Sequence, residues 1–419
     1  MNPALLPLDE AVAIATRTAE AVRDARPPET RVVSLWEASG RVMAQDVRAD
    51  RDHPPFDKSM MDGFALRTAD LAAGRTLRLV GEIAAGDMAA HALGPGEAMA
   101  IMTGAPLPAG ADAVEIVEIA VRDGERVTFP QAVAPEANLQ RAGCQVRKGD
   151  VVVERGRVVE ALTAGVLGTV GAARFAVYER PRVSVIATGN ELLGVEATPG
   201  PAQIRDSNRR TLMALLESEH CRVVDGGIVR DERAALRQAI AEAKESDVLV
   251  LSGGVSAGEY DLVRGCLEAE GAEILFHQIA IKPGKPVLFG RMRGSAGSGN
   301  DTLVFGLPGN PVSAFVTAVL LLAPVVRVLG RRPEHKSWTL SLPLAGPLPA
   351  TQRRTTIHPG DLVRGPDDAL SVRPRAWDGS SDHIAYARGN VLIRRDAGQP
   401  AAGPGELTKV ILPRSLATW

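Results

Sequence analysis

The sequence predicts a multidomain protein of the α/β plus β class: a central parallel-sheet α/β domain at residues 181–331, flanking β-rich modules, and a small C-terminal β-barrel. Three observations predict it. Between Pro181 and Gly309 the apolar runs Val183–Ala187, Arg222–Val224, Val248–Leu251, Ile274–Phe276, Val287–Phe289 and Thr302–Phe305 alternate with polar, glycine-containing turns and stretches of helical periodicity, the βαβ signature of a parallel sheet. On either side the apolar runs are short and separated by glycine and proline, as small β modules require. The 419 residues also exceed what one core serves, with about three domains expected from length.

Taken in order, Asp9–Arg23 opens the chain as an amphipathic helix, with Val12, Ala15, Ala19 and Val22 on one face. Residues 1–50 with 146–180 are expected to form a helical and linking domain around a β-rich lobe at 51–145, whose runs are Leu77–Val80, Ala98–Met102 and Ala113–Val117. In the central domain, helices fit between strands, with Leu212, Leu215 and Leu216 on one face and Leu236 and Ile240 on another. The Gly- and Ser-rich tract Gly294–Asn300 reads as a mobile loop. The most apolar stretch, Ala314–Leu329, is broken by Pro324 and Arg327 and falls short of the roughly 20 residues a bilayer span needs, so a buried helix is expected. Residues 332–419 return to short strands, the barrel.

Composition bounds the function. Net charge −2 with 23% charged residues offers no field for polyanions, so nucleic acid is not the expected partner. Cys144, Cys221 and Cys266 are too few and too far apart for a disulfide framework or a thiolate zinc site. The N-terminus reaches Asp9 and Glu10 before any basic residue, unlike a secretory leader. A cytoplasmic protein, without a membrane partner, is expected.

In open parallel sheets ligands bind beyond the carboxyl ends of the strands. After Val183–Ala187 come Thr188, Gly189, Asn190 and Glu191; after Val248–Leu251 come Ser252, Gly253, Gly254, Val255 and Ser256. A Ser-Gly-Gly turn lets backbone N–H groups face an anion, although glycines also simply permit tight turns. Pro308, Gly309 and Asn310 add a third loop, with Asn310 and Pro311 placed as cap and first turn of a helix. Neither G-x-x-x-x-G-K-[ST] nor G-x-G-x-x-G is present, which excludes the usual nucleotide fingerprints.

Three carboxylates, Glu191, Asp231 and Asp261, follow strands or precede helices and suit a Mg²⁺ shared with substrate phosphates. Asp231 equally suits a helix cap. Lys282 and Lys285 bracket Pro283 and Gly284, fixing two ammonium groups that would neutralise an oxyanion if they are not merely solvated. Asp62 before Gly63 and Thr103 before Gly104 are candidate site residues, or else a turn and a hairpin end. The seven histidines show no metal-ligand spacing.

These strings together resemble the molybdopterin molybdenumtransferase family, the bacterial MoeA proteins and the related C-terminal part of gephyrin. The matching pieces are Phe56–Phe64, Ile101–Pro106, Thr188–Leu192, Asp206–Asn208, Ser252–Glu259 with Asp261, Ile281–Pro286 and Gly306–Ala314. The resemblance implies an elongated homodimer whose α/β domain binds molybdopterin. The implied reaction inserts molybdenum from molybdate into adenylylated molybdopterin, with Mg²⁺-dependent release of AMP. It further implies Asp62, Thr103, Glu191, Asp231, Asp261, Lys282 and Lys285 as functional residues, with Asp62 and Thr103 contributed across the dimer. Molybdopterin adenylyltransferase and molybdoenzyme maturation proteins are the implied partners.

One stretch departs from the family pattern Asn-x-Arg-x-x-Gly-Glu-Asp. Here it reads Asn138, Leu139, Gln140, Arg141, Ala142, Gly143, Cys144 and Gln145, losing two carboxylates, with Arg141 one position from the expected guanidinium. That departure keeps open a non-enzymatic cofactor-binding scaffold. The adenylyltransferase itself is the other alternative, and the flanking β modules argue against it.

Overall fold

The computed structural model describes residues 5–71, 75–254, 262–294, 301–333 and 339–413. Helix α1 (Leu8–Asp24) buries Leu8, Ala11, Ala15, Ala19 and Val22, a stripe at the i, i+3/i+4 spacing. That stripe belongs to the same core as the central sheet, so the opening helix clads the α/β domain. The strand Thr30–Ser34 then pairs antiparallel with Arg174–Tyr178, and Val33, Met43, Val159, Leu167 and Phe175 make a separate core beside it. Helix α2 (Ala161–Thr169) is apolar all round yet buries only Leu167.

Between those paired strands lies the β-rich lobe. Its sheet runs Ala113–Ile116, Gly63–Leu66, Glu97–Ile101, Thr76–Ile83, Arg126–Thr128, Val121–Asp123, which places each of the expected apolar runs on a strand.

The central domain follows the expected alternation: β1 (Arg182–Thr188), α3 (Asn208–Ser218), β2 (Arg222–Val229), α4 (Arg233–Glu242), β3 (Val248–Ser252), α5 (Leu262–Ala269), β4 (Ala272–His277), β5 (Leu288–Met292), β6 (Thr302–Leu307), α6 (Pro311–Thr317) and α7 (Ala323–Leu329). The sheet order is β2-β1-β3-β6-β5-β4. Val183, Val185, Val248 and Val250 face the core shared with α1, α3, α6 and α7, whereas Ile186, Leu249 and Leu251 face α4 and α5. Both faces are therefore covered, which is why these strands read as continuous apolar runs, each fully buried Val or Leu contributing about 1.5–3 kcal/mol.

The expectation of a wholly parallel sheet is corrected at one edge. Strands β2, β1, β3 and β6 are parallel, but β5 runs antiparallel to both β6 and β4. A parallel neighbour needs a crossover of about a dozen residues or more, and the connection from Met292 to Thr302 is too short to supply one. The tract expected as a mobile loop lies, beyond Gly294, outside the described residues.

The apolar segment is a buried helix, as expected, continuous from Pro311 to Leu329. It widens into a π turn at Ala318–Leu322, just ahead of Pro324, whose ring and missing N–H are incompatible with an α-register carbonyl at Leu320. The C-terminal strands Thr339–Pro343, Thr355–Arg364, Leu370–Pro374, Val391–Arg395 and Leu407–Ile411 pack over Leu344, Val372, Ile393 and Val410. A two-residue strand from the central domain, Ile281–Lys282, pairs with Thr355–Thr356 and forms an edge of that sheet. Cys144, Cys221 and Cys266 are all free.

Candidate active site

The connection from β1 leads through α3 to β2 on one side, while β3 lies on the other, so the winding direction reverses between β1 and β3. At such a switch point the outgoing strand loops diverge and leave a crevice. The loops concerned are Thr188–Glu191 and Ser252–Gly254, two of the three picked out from sequence.

They are tied together by close backbone approach. Gly253 has φ +100°, and a Cβ there would lie 2.2 Å from the Thr188 carbonyl oxygen. Its N–H donates to the Leu307 carbonyl at 3.0 Å, and the Gly309 Cβ direction meets the Gly253 Cα at 3.7 Å. Gly254, at φ +65°, is hemmed in by Val263. The glycines are therefore required for contact among three loops, not only for local turns. The third loop, Pro308–Asn310, leads into α6 with Asn310 at the cap position and Pro311 in the first turn. The Asn310 side chain does not cap the helix: its Nδ2 donates to Ser380 Oγ at 2.8 Å.

Asn208, absent from the candidate residues above, is the linchpin of this edge. Its Nδ2 donates to Ser252 Oγ at 2.9 Å and to the Gly309 carbonyl at 2.7 Å. Its Oδ1 is buried with no partner, an acceptor held at the junction of the loops. Asp206, also buried, fixes the approach by accepting from the Arg209 N–H and Nε at 3.1 and 2.9 Å. The sequence signal was the Asp-Ser-Asn entry to α3, which reads as an ordinary helix start.

Of the three carboxylates, Glu191 and Asp231 flank the loop after β1. Asp231 does not cap α4, whose N-cap is Glu232. It accepts the Thr188 hydroxyl at 2.5 Å through Oδ1, and its own N–H donates to Asn190 Oδ1 at 3.2 Å. The Glu191 carboxylate folds over Gly189, where a Cβ would come within 2.7 Å of it. Asp261 and Ser256 lie outside the described residues, and among the described residues no cluster of three metal-ligating side chains forms.

Lys282 and Lys285 stand on a turn pinned from two sides. Gly284, at φ +113°, packs so closely on α6 that a Cβ would meet Thr317 Cγ2 at 2.5 Å, while Lys282 pairs with Thr356 of the C-terminal sheet. The Lys285 carbonyl accepts from Ile279 and Val287. The described lysine ion pairs are Lys244–Glu270 and Lys409–Asp396; Lys282 and Lys285 form none. Two uncompensated cations on a stiff turn beside the first turns of α6 suit an anionic ligand.

Asp62 and Thr103 meet each other on the β-rich lobe. Asp62 Oδ1 accepts from the Thr103 N–H at 2.6 Å and from its hydroxyl at 2.7 Å, and these bonds hold the carboxyl below its usual range. Both residues are exposed, among the exposed side chains of Phe56, Met60, Met61 and Met102. No hydrogen bond joins this pair to the β1/β3 loops among the described residues. Arg141 is committed within the lobe, to Asp57 at 2.5 Å and Glu136 at 2.8 Å, and Cys144 is exposed.

Comparison with known proteins accounts for this combination of modules. Two family descriptions match: the MoeA N-terminal region (domain I and II) over residues 6–171, and a probable molybdopterin binding domain over residues 184–328. The molybdopterin molybdenumtransferase of Haemophilus influenzae is 34% identical over 386 residues, covering 90% of this chain and 93% of the relative. That of Bacillus subtilis is 32% identical over 399 residues, covering 92% and 90%. A solved molybdopterin biosynthesis moeA protein from Pyrococcus horikoshii superposes with a TM-score of 0.80 at 25% identity, covering 97% of this chain and all (100%) of that one. A second structure of a molybdopterin biosynthesis moea protein from the same organism gives 0.76 at 29% identity, covering 98% and 100%.

Proposed function

The chain belongs to the molybdopterin molybdenumtransferase family, and from that premise we propose that it inserts molybdenum from molybdate into adenylylated molybdopterin, releasing AMP, in molybdenum cofactor biosynthesis. The observation that carries this reading is the crevice between β1 and β3, where Ser252, Gly253, Gly254 and Gly309 bring backbone together and the loop after β1, which carries Glu191, is bonded at Thr188 and Asn190 by Asp231 from the loop after β2. Thr188, Gly189, Pro308 and Asn310 complete the phosphate-facing edge, and Lys282 and Lys285 supply positive charge for the pyrophosphate.

Carboxylate oxygens are a hard donor set suited to Mg²⁺. Asp231 engages Thr188 through Oδ1 and keeps Oδ2 for a cation, so Glu191 and Asp231, with Asp261, fit as its ligands. The bound ion would supply charge neutralisation at the pyrophosphate. The chain's own part is to orient: Thr188 fixes the Asp231 carboxylate, Asn208 fixes the loop register, and the unpaired Asn208 Oδ1 awaits an N–H donor of the ligand.

We divide the chain into 1–50 with 146–180, 51–145, 181–331 and 332–419, the last curling toward a barrel through the Leu344–Val372 bridge. A cytoplasmic homodimer is the working form, drawing substrate from an adenylyltransferase and passing product to molybdoenzyme maturation proteins. Its support is the apolar surface where Trp36 and Leu162 are 93% and 88% exposed, with Val166 beside Leu162 on α2. In the dimer, Asp62 and Thr103 would complete the partner's cleft. Leu162→Glu is expected to shift the light-scattering mass on size exclusion from two chains to one and to lower AMP release at least about tenfold; an unchanged mass removes α2 from the interface.

The direct test supplies adenylylated molybdopterin, molybdate and Mg²⁺ and follows AMP. Release dependent on all three is expected. Tight binding of the pterin without AMP would instead make the chain a cofactor carrier, the reading that Cys144 and Gln145 favour.

A further inference from the structure

Where the N-terminal module joins the central domain, well apart in sequence from the β1/β3 loops, the molecule has a small half-open cavity. Its wall comes from the segments at Gly40–Val42, Tyr178–Pro181, Glu219–His220 and from Gly330 with Arg332. The space available to the centre of a water-sized particle is about 20 Å³, enough for one particle of that size and too little for a tetrahedral oxyanion.

The charges around it do not balance. Arg41, Arg180 and Arg332 face Glu179 and Glu219, and both carboxylates are already engaged. Glu219 is gripped by Arg327 at 2.5 and 2.7 Å, and Glu179 lies 3.7 Å from Arg31 as well as 3.5 Å from Arg41. Arg180 and Arg332 have no carboxylate at ion-pair distance among the described residues; Arg332 donates to the Gly40 carbonyl at 3.4 Å.

Arg41 itself is 7% exposed. Its Nη2 is used on the Tyr178 carbonyl at 2.9 Å, but its Nε is buried with no partner. A buried charged donor left unmade is costly and calls for an acceptor. A water molecule would accept that hydrogen bond and leave the excess positive charge as it is. A monovalent anion answers both. The His220 ring, lodged against Gly40 so closely that a Cβ there would come within 2.1 Å of it, has its pKa lowered by burial and then by Arg332 and Arg180, which accords with a positive local potential.

We propose that this cavity binds one small monovalent anion of the halide class, which accepts a hydrogen bond from Arg41 Nε–H in the field of Arg180 and Arg332, and that the anion fastens the N-terminal module to the central domain. Crystals of the full chain soaked in sodium bromide are expected to show a bromine anomalous peak within hydrogen-bonding distance of Arg41 Nε. In solution, replacing gluconate by chloride at constant ionic strength is expected to raise Tm by roughly 1–3 °C, and Arg332→Gln to remove at least half of that increment. Bromine peaks confined to surface arginines, an ordinary water at the Arg41 Nε, or a Tm identical in the two salts would each overturn the proposal. The wild-type diffraction experiment decides it even if the variant is unstable.

Discussion

Gly253→Ala is expected to lose turnover and thermal stability together. The residue sits at φ +100°, and its new methyl would lie 2.2 Å from the Thr188 carbonyl oxygen, a backbone atom that no rotamer change can withdraw. The left-handed backbone alone costs a side chain about 1–2 kcal/mol, and forced separation of packed segments adds roughly 1–3. At roughly 2–4 °C per kcal/mol for a domain of this size, Tm should fall by about 5–15 °C. Separating the loops after β1 and β3 also displaces the groups that face the pyrophosphate. A shift of about 1 Å can reduce rate on the order of 100-fold, so AMP release should drop by at least that factor even in the protein that remains folded. Gly254→Ala meets the side chains of Val263 and Thr188 rather than a backbone atom and should be milder. Turnover of Gly253→Ala within twofold of wild type, about 0.4 kcal/mol of barrier, would mean that the Ser-Gly-Gly turn is not the phosphate cradle.

The second large effect separates chemistry from folding. Lys285→Ala removes an ammonium that forms no ion pair among the described residues, while the backbone bonds from Ile279 and Val287 to its carbonyl remain. Stability should therefore change by no more than about 0.5 kcal/mol, as for ordinary surface changes. If the cation stabilises charge developing on the leaving phosphate, AMP release should fall by about 10² to 10³, the usual consequence of deleting one such group. The same loss confined to KM, with kcat retained, would assign Lys285 to uniform binding of the ground state instead. A Tm drop comparable to that of Gly253→Ala would make its role structural and take it off the site.

What could be read in advance follows from how each feature is encoded. The strands of the central sheet were legible because both faces are covered and nearly every position from Val183 to Ala187 and from Val248 to Leu251 is apolar, the exception being Ser184, whose hydroxyl bonds that of Ser246. The direction of β5 was not, since an apolar run looks the same either way; only the short Met292–Thr302 connection carried the information. The spacing of Val12, Ala15, Ala19 and Val22 announced a buried face on α1 but could not say which core receives it, and the face is centred one residue away, burying Ala11 fully and Val12 only in part. Gly253 was visible because glycine is a statement about backbone. Asn208 was noted only within the string Asp206–Asn208 and its linking role was not legible, because its partners Ser252 and Gly309 lie 44 and 101 residues away, and an asparagine at the start of a helix has a plainer local explanation. Asp231 shows the reverse: its local explanation was a cap, and the structure gives it to Thr188.

The two-residue pairing of Ile281–Lys282 with the C-terminal sheet has a mechanical corollary. The turn that carries Lys282 belongs by chain to the central domain and by hydrogen bonding to the terminal sheet, so it answers to both. A tilt of the terminal module would therefore pull on the backbone of Lys282 directly.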